Sequence, residues 1–412
     1  MKNLLKIHEF AFLKLLTYRI LMVLAYQMLA VVVGWHIYEI THDPLSLGLI
    51  GLAEVIPYFS TALFAGYAID HHLSRRFFAM LAALMLFTNA LILTSVSAGW
   101  LEVGTQKSII FWIYASIAFT GFARAFIAPS YNTLFAIIIP RKKYAQAAGM
   151  GSAMFQIGLI LGPAIGGLLV GFTSKTFAYS VAASLCFAGF IAMASIKIQE
   201  PKAPEERLPV FKSIHEGLKF VFSNQIILSA ISLDMFAVLF GGAVAMLPAF
   251  IHDIYQLGPE SLGVLRAAPA IGAIFTGFWL AKHPIDNHAG RWLLGTVAAF
   301  GVCMIGFGLS INFWMAAIML ALSGVFDGIS VVMRQTILQL ATPDAMRGRV
   351  SAINGIFIGS SNELGAFESG VAARLLGLVP SVIFGGVATL AVVGIVAKLA
   401  PQLRRLELEQ LH

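Results

Sequence analysis

Charge is scarce in this chain. Asp, Glu, Lys and Arg make up 11% of its 412 residues, against about 25% in an ordinary soluble domain, and that deficit excludes most folds whose surface faces water. Cysteine is scarcer still. Cys186 and Cys303 lie inside apolar runs far apart in sequence, which excludes a disulfide framework and a metal cluster and leaves packing as their role. HExxH, GxSxG, P-loop and metal-ligand spacings are all missing, and no loop is long enough for a catalytic or ligand-binding domain. No enzymatic activity, cofactor or metal is expected, and the chain carries no motif for using ATP.

What is present is apolar: 59% of the residues are hydrophobic. A membrane-crossing helix needs about 20 mostly apolar residues, and twelve segments meet that need. The first six run roughly 15–40, 46–69, 77–99, 109–137, 145–171 and 177–196, and the second six roughly 226–251, 260–281, 291–309, 312–340, 349–376 and 380–398. The expected fold is an all-α membrane protein of twelve transmembrane helices in two six-helix bundles. Its expected divisions are an N-terminal bundle 1–196, a cytoplasmic linker 197–225, a C-terminal bundle 226–400 and a cytoplasmic tail 401–412. The linker holds Glu200, Glu205, Glu206 and Arg207 and leads into an amphipathic stretch, Phe211 to Phe222, expected to lie along the membrane surface. Lys2, Lys6 and Lys14 come before the first span, which is too long for a signal-peptide core and is expected to remain as a helix.

The formal net charge of +7 fits cytoplasmic loops that orient a membrane protein better than it fits nucleic acid, which is set aside as a partner. With the N-terminus inside, Arg75, Arg76, Arg141, Lys142, Lys143, Lys282, Arg291, Arg347, Arg349, Lys398, Arg404 and Arg405 fall on one side, and Lys107, Lys175 and Arg374 on the other. Both termini are therefore expected in the cytoplasm, on a multi-pass chain that is monomeric in the bilayer.

The two halves echo one another, as duplicated transporter bundles do. Residues 27–34 resemble residues 234–241, and Ser46-Leu47-Gly48-Leu49 resembles Ser261-Leu262-Gly263-Val264. Aligning Pro140 with Pro343 pairs Gly162 with Gly365 and Gly167 with Gly370, and sets Arg124 opposite Asp327. The repeat predicts a pseudo-twofold pair of bundles with a site at their interface.

An ionisable group at mid-bilayer costs about 2.5 kcal/mol or more, so each must be paired, face a wet cavity or serve a function. Spans 3, 6, 9 and 12 hold none in their interiors and suit lipid contact. Elsewhere the census gives Arg19, Glu54, Arg124, Asp234, Arg266, Asp327, Arg334, Glu363 and Glu368. Glu54, Arg124, Asp327 and Glu363 sit nearest mid-span, where a substrate or proton site belongs; Asp234 and Arg334 complete the candidate cavity set. Asp327 and Arg334 are two helical turns apart and share a face, whereas Glu363 and Glu368 diverge. A bland alternative is a static pair, Arg124 with Glu54 or with Asp327, that only locks the bundles. The functional alternative is a carboxyl that exchanges an arginine partner for a proton as the bundles rock, because desolvation between apolar walls favours the neutral acid.

Two stretches carry recognisable patterns. Gly66-Tyr67-Ala68-Ile69-Asp70-His71-His72-Leu73-Ser74-Arg75-Arg76 closes span 2 with an acid and then bases, a candidate conformational latch in which Asp70 pairs with Arg75 or Arg76. In span 5, Gly158, Gly162, Pro163, Gly166 and Gly167 form GxxxGPxxGG, where glycines four apart admit a close neighbour and the proline permits a kink. These resemble the loop 2–3 and span 5 antiporter signatures of the major facilitator superfamily. The loop match is partial, with His71 where Arg is usual and Leu73 where Gly is usual, and its interlocking role is weakened accordingly.

Leu265-Arg266-Ala267-Ala268-Pro269, Gly121-Phe122-Ala123-Arg124-Ala125-Phe126, and Met346-Arg347-Gly348-Arg349-Val350-Ser351-Ala352 leading to Ser361-Asn362-Glu363-Leu364-Gly365 are similar to the drug and siderophore exporter branch, which takes in enterobactin exporters and macrolide efflux proteins. That resemblance implies outward movement of an amphiphilic small molecule across a bacterial inner membrane, exchanged for protons. Tyr26, Tyr58, Phe122, Phe126, Phe236, Phe240 and Phe326 suit a large, partly apolar ligand, and suit packing equally. The alternative is a facilitator or importer of a nutrient or lipid-related solute without proton antiport. His36, beside Trp35, has no second ligand at helical spacing in its span and reads as an interfacial residue.

Overall fold

A computed structural model describes residues 2–71, 74–100, 105–140, 143–198, 200, 210–283, 285, 287–343 and 346–407; side chains at 2–9, 63, 66, 67, 70, 71, 145, 210–214, 281, 347, 348, 351 and 352 are left aside. The described residues are helical, without strands. In chain order the helices are α1 (Lys2–Thr41), α2 (Pro44–His71), α3 (Arg75–Ser97), α4 (Gln106–Ile138), α5 (Tyr144–Phe172), α6 (Lys175–Ala194), α7 (Val210–Ser223) and α8 (Gln225–Phe240). After α8 the chain tightens into a 3-10 turn (Gly242–Met246), the short α9 (Leu247–Ala249) and a π turn (Phe250–Tyr255). Then follow α10 (Pro259–Lys282), α11 (Ala289–Gly308), α12 (Phe313–Ala341), α13 (Arg347–Leu376), α14 (Leu378–Leu399) and α15 (Pro401–Arg404).

Eleven helical segments among the described residues are long and apolar enough to cross a membrane. The twelfth expected span corresponds to α13, which has the length but is not among the eleven; Glu363, Glu368 and Arg374 interrupt its apolar character. Several starts are written in the sequence as caps. Ser74, Thr105, Ser174, Asn224 and Asn312 each accept a hydrogen bond from a backbone N–H of the first turn that follows.

The chain forms two compact units: Met1–Thr41, Ala53–Arg207 and Gly258–Ala267 in one, and His42–Leu52, Leu208–Leu257 and Ala268–His412 in the other. In the first unit, α1 supplies Ala11, Leu15, Tyr18, Met22 and Ala25 to the core. That alternating four- and three-residue spacing keeps one face inward. It meets Ala79, Ala83 and Leu86 of α3 and Cys186 and Met193 of α6, and the Tyr18 hydroxyl donates to the Ala79 carbonyl at 3.1 Å. On another side α1 receives the glycines of α5: a Cβ on Gly158 would lie 2.6 Å from Val23 Cγ1, and one on Gly162 2.6 Å from Gln27 Cβ. Small residues let the two backbones approach to this distance. Exposed Phe77, Leu84 and Leu91 repeat every two turns of α3 and make an apolar stripe suited to lipid.

His36 is 5% exposed, with Nδ1 3.2 Å from the Tyr179 hydroxyl of α6, so it is a packed residue of the first unit near the end of α1. The amphipathic linker helix is α7; its Val221 is buried with Ile227, Ile231, Leu338, Val350 and Ile353 in the second unit, and Glu216 pairs with Arg349 at 2.9 Å.

The sequence repeat reappears as matched helix crossings. A Cβ on Gly121 would lie 2.2 Å from the Glu54 carbonyl oxygen, and one on Gly324 would lie 1.8 Å from that of Pro269. Under the alignments that pair Pro140 with Pro343 and Ser46 with Ser261, Gly121 falls on Gly324 and Glu54 on Pro269. Likewise, within the first unit a Cβ on Gly167 would lie 2.5 Å from Gly263 N, and within the second a Cβ on Gly370 would lie 2.6 Å from Gly48 Cα.

Candidate functional site

The charge cluster of the first unit is built where α2 and α4 cross on Gly121. The glycine brings α4 onto the backbone of Glu54, and Arg124, one turn further on, closes an ion pair with the Glu54 carboxylate through Nη1. Glu54 is almost entirely buried, at 8% side-chain exposure, while Arg124 keeps 28%. From α1 the Tyr26 hydroxyl donates to Glu54 Oε1 at 3.1 Å, and the Arg124 guanidinium stands 4.3 Å from the Tyr26 ring centroid and 5.6 Å from that of Tyr58. Arginine spreads its charge over a plane that can pair with a carboxylate and lie on a ring at once. The result is a neutralised, aromatic-walled polar cluster inside apolar helices.

In the second unit the pair is Asp234 of α8 with Arg334 of α12, with side chains 7% and 2% exposed. Arg334 is thus among the largest fully buried side chains of the chain. Asp327, on the same helix as Arg334, has neither an ion pair nor a hydrogen bond among the described residues. For Glu363 the described geometry is a backbone one: a Cβ on Gly51 would lie 2.3 Å from its carbonyl oxygen.

Structure therefore brings together Glu54 with Arg124 and Asp234 with Arg334, the second pairing unanticipated because its members are 100 residues apart. Of the candidate latch, Gly66 and Asp70 lie on α2, and their side-chain surroundings are outside what is described. Arg75 and Arg76 start α3 under the linker acid Glu200: both backbone N–H groups donate to the Glu200 carboxylate, the Arg76 bond at 3.3 Å, and Ser74 Oγ donates to Glu200 Oε1 at 3.3 Å. Arg76 Nη1 donates to the Ile196 carbonyl. An acid at a helix N-terminus satisfies free N–H groups and the positive dipole end together. Glu200 was visible in sequence only as a linker charge. In α5, Gly158, Gly162 and Gly166 face α1, Gly167 faces Gly263, and Gly263 faces the backbone at Pro163 and Ala164.

Tyr131 and Arg19 were missed as a pair. The Arg19 guanidinium lies 4.1 Å from the Tyr131 ring centroid and 5.4 Å from that of Phe155. The signal was there: Arg19 and Tyr26 are seven apart on α1, and Arg124 and Tyr131 are seven apart on α4. Across two antiparallel helices those spacings set Arg19 against Tyr131 and Tyr26 against Arg124. No group of three or more His, Cys, Asp or Glu among the described residues is arranged to hold a metal ion.

Comparison with known proteins bears on this geometry. The sequence profile described as the Major Facilitator Superfamily matches residues 15–366. The enterobactin exporter EntS of Escherichia coli O1:K1 / APEC is 27% identical over 217 residues, covering 52% of this chain and 51% of that protein. EntS of Shigella boydii serotype 18 (strain CDC 3083-94 / BS512) is 28% identical over 218 residues, with the same shares. The chain therefore matches about half the length of these curated relatives. Among solved structures, a peptide transporter POT in complex with sulfate gives a TM-score of 0.74 at 11% identity, covering 96% of this chain and 95% of that one. The nucleoside transporter NupG gives 0.72 at 13%, covering 94% and 99%. A bacterial homolog of the human lysosomal transporter Spinster gives 0.71 at 15%, covering 97% and 96%. At these identities the likeness establishes the fold. The family and structural relatives are transporters, not enzymes.

Proposed function

The chain belongs to the Major Facilitator Superfamily, and from that premise we propose that it is a small-molecule transporter of the bacterial inner membrane. In this reading it works by alternating access as a facilitator or importer, without proton antiport. The observation that carries it is the closure of Glu54 on Arg124 and of Asp234 on Arg334. Two of the candidate acids, Glu54 and Asp234, are already balanced by arginine, so burying them in a bilayer requires no proton. The fold shared with peptide and nucleoside transporters supports a nutrient-like solute.

A second reading, proton-coupled export of a siderophore-like or drug-like amphiphile, is favoured by two observations. One is the half-length similarity to enterobactin exporters; the other is Asp327, a membrane-embedded acid without a partner among the described residues. Both readings keep the termini cytoplasmic, as the distribution of basic residues requires, which reporter fusions at either end would check.

Flux separates them. Inside-out vesicles loaded with a pH-sensitive dye are offered peptides, nucleosides, fluorescent amphiphiles and iron-free siderophores under an imposed proton gradient. The facilitator reading expects solute movement without proton movement, unchanged in Asp327→Asn. Substrate-dependent proton leak that the variant lacks would overturn it in favour of export.

A further inference from the structure

On the facing sides of α1 and α4 two cation–aromatic pairs stand two helical turns apart, about 10.5 Å. In the inner pair Arg124 lies over Tyr26, and its charge is met by Glu54. In the other the identities are exchanged: Arg19 of α1 lies over Tyr131 of α4, and among the described residues no carboxylate lies within ion-pair range of Arg19. Arg19 sits within the apolar segment Phe10–Thr41, where an unbalanced cation is expensive. A ring face attracts the guanidinium without cancelling its charge.

The donors converge. Tyr131 is 5% exposed, and its hydroxyl is buried with no hydrogen-bond partner, a condition that itself carries a cost. A Cβ built on Gly151 of α5 would lie 2.6 Å from that hydroxyl and 3.5 Å from Arg19 Nη1. The absent side chain of this glycine thus lets a buried O–H and a guanidinium N–H stand together against the α5 backbone. Phe155, one turn along α5 and in contact with the same guanidinium, is 39% exposed and offers an apolar surface beside it.

We propose that Arg19 and Tyr131, side by side against Gly151, form an anion subsite that receives a carboxylate or comparable oxyanion of an amphiphile whose apolar part rests on Phe155. The oxyanion accepts from the guanidinium and from the phenol, balancing the charge and filling the vacant hydrogen bond together. The subsite deepens the transporter reading by naming the charge class of one end of the cargo, and it rests on that reading only for the identity of the occupant as cargo. A lipid headgroup offers the same chemistry.

Equilibrium binding tests it without flux, so failure here and failure of the transport reading are separate results. Full-length protein in phosphatidylcholine nanodiscs is titrated calorimetrically with 2-naphthoate and with neutral 2-naphthylmethanol. The wild type is expected to prefer the anion by about tenfold, the scale of a charge-assisted hydrogen-bond pair. Arg19→Gln is expected to abolish the preference, Arg19→Lys to keep part of it, and Tyr131→Phe and Gly151→Ala to lower it several-fold, all with unchanged affinity for the neutral compound. That unchanged affinity reports an intact fold. Equal binding of both compounds by the wild type, or a preference that survives Arg19→Gln, would overturn the proposal. Repeating the titration with phosphatidylglycerol in the disc identifies the occupant: competition lost in Arg19→Gln assigns the subsite to a lipid headgroup, and no competition assigns it to a solute.

Discussion

Tyr26 touches both members of one ion pair: its ring lies 4.3 Å from the Arg124 guanidinium, and its hydroxyl donates to the Glu54 carboxylate at 3.1 Å. A single residue of α1 therefore holds α2 and α4 in register through two different properties of the same side chain. Phe at this position keeps the ring contact and loses the donor. Tyr26→Phe is expected to cost about 1 kcal/mol of stability, the net worth of one such bond, and Tyr26→Ala distinctly more, both read from thermal unfolding in detergent.

Glu54→Gln leaves Arg124 without its counter-charge, and Arg124→Gln leaves a buried carboxylate. Breaking a buried pair from one side costs about 3–5 kcal/mol; the 28% exposure of Arg124 lets water soften this, so each single change is expected on the order of 2 kcal/mol. The double variant should be more stable than the sum of the two losses. Strict additivity in the cycle would mean that the pair contributes nothing as a pair.

Asp234→Asn strands an arginine that is only 2% exposed. With no water to share the load, the loss is expected in the full range of about 3–5 kcal/mol, above that of Glu54→Gln. Equal unfolding temperatures for the two variants would contradict the ranking by burial.

Gly121→Ala and Gly324→Ala each place a Cβ against a backbone carbonyl, 2.2 and 1.8 Å away. Backbone cannot swing aside as a side chain does, so the helices must part, at about 1–3 kcal/mol. Gly277→Ala in α10 meets nothing within 4 Å and should stabilise by up to about 1 kcal/mol through helix propensity. The opposite signs, measured in parallel, separate crossing glycines from incidental ones.

Glu200→Ala removes the acceptor of two N–H groups at the start of α3. A loss of about 1 kcal/mol is expected, with Asp at this position recovering part of it. Earlier hydrogen exchange at Arg75 and Arg76 than in the α3 interior would report the same uncapping.

Much of the fold was legible because the bilayer imposes its own arithmetic of runs of about 20 apolar residues. The repeat was legible too, since glycines needed at a crossing leave a mark at fixed spacing: Gly48 aligns with Gly263 and Gly167 with Gly370, and in the structure Gly48 packs on Gly370 as Gly167 packs on Gly263. The cover of His36 was not legible, because periodicity gives depth along a helix but not which neighbour covers it, and Tyr179 covers it.

The sequence by itself determined that this is a multi-span membrane protein built from a repeated set of helices, because composition, span length and glycine spacing are local properties that the solvent reads directly. It also restricted the buried charges to a short set, since a bilayer tolerates so few. Only the tertiary structure decided their partners: that Glu54 takes Arg124, that Asp234 takes Arg334, and that Arg19 meets Tyr131 and no carboxylate among the described residues. Ion pairs and ring contacts act over a few ångströms between helices distant in sequence, and which helices lie side by side is settled by packing, which no single segment records.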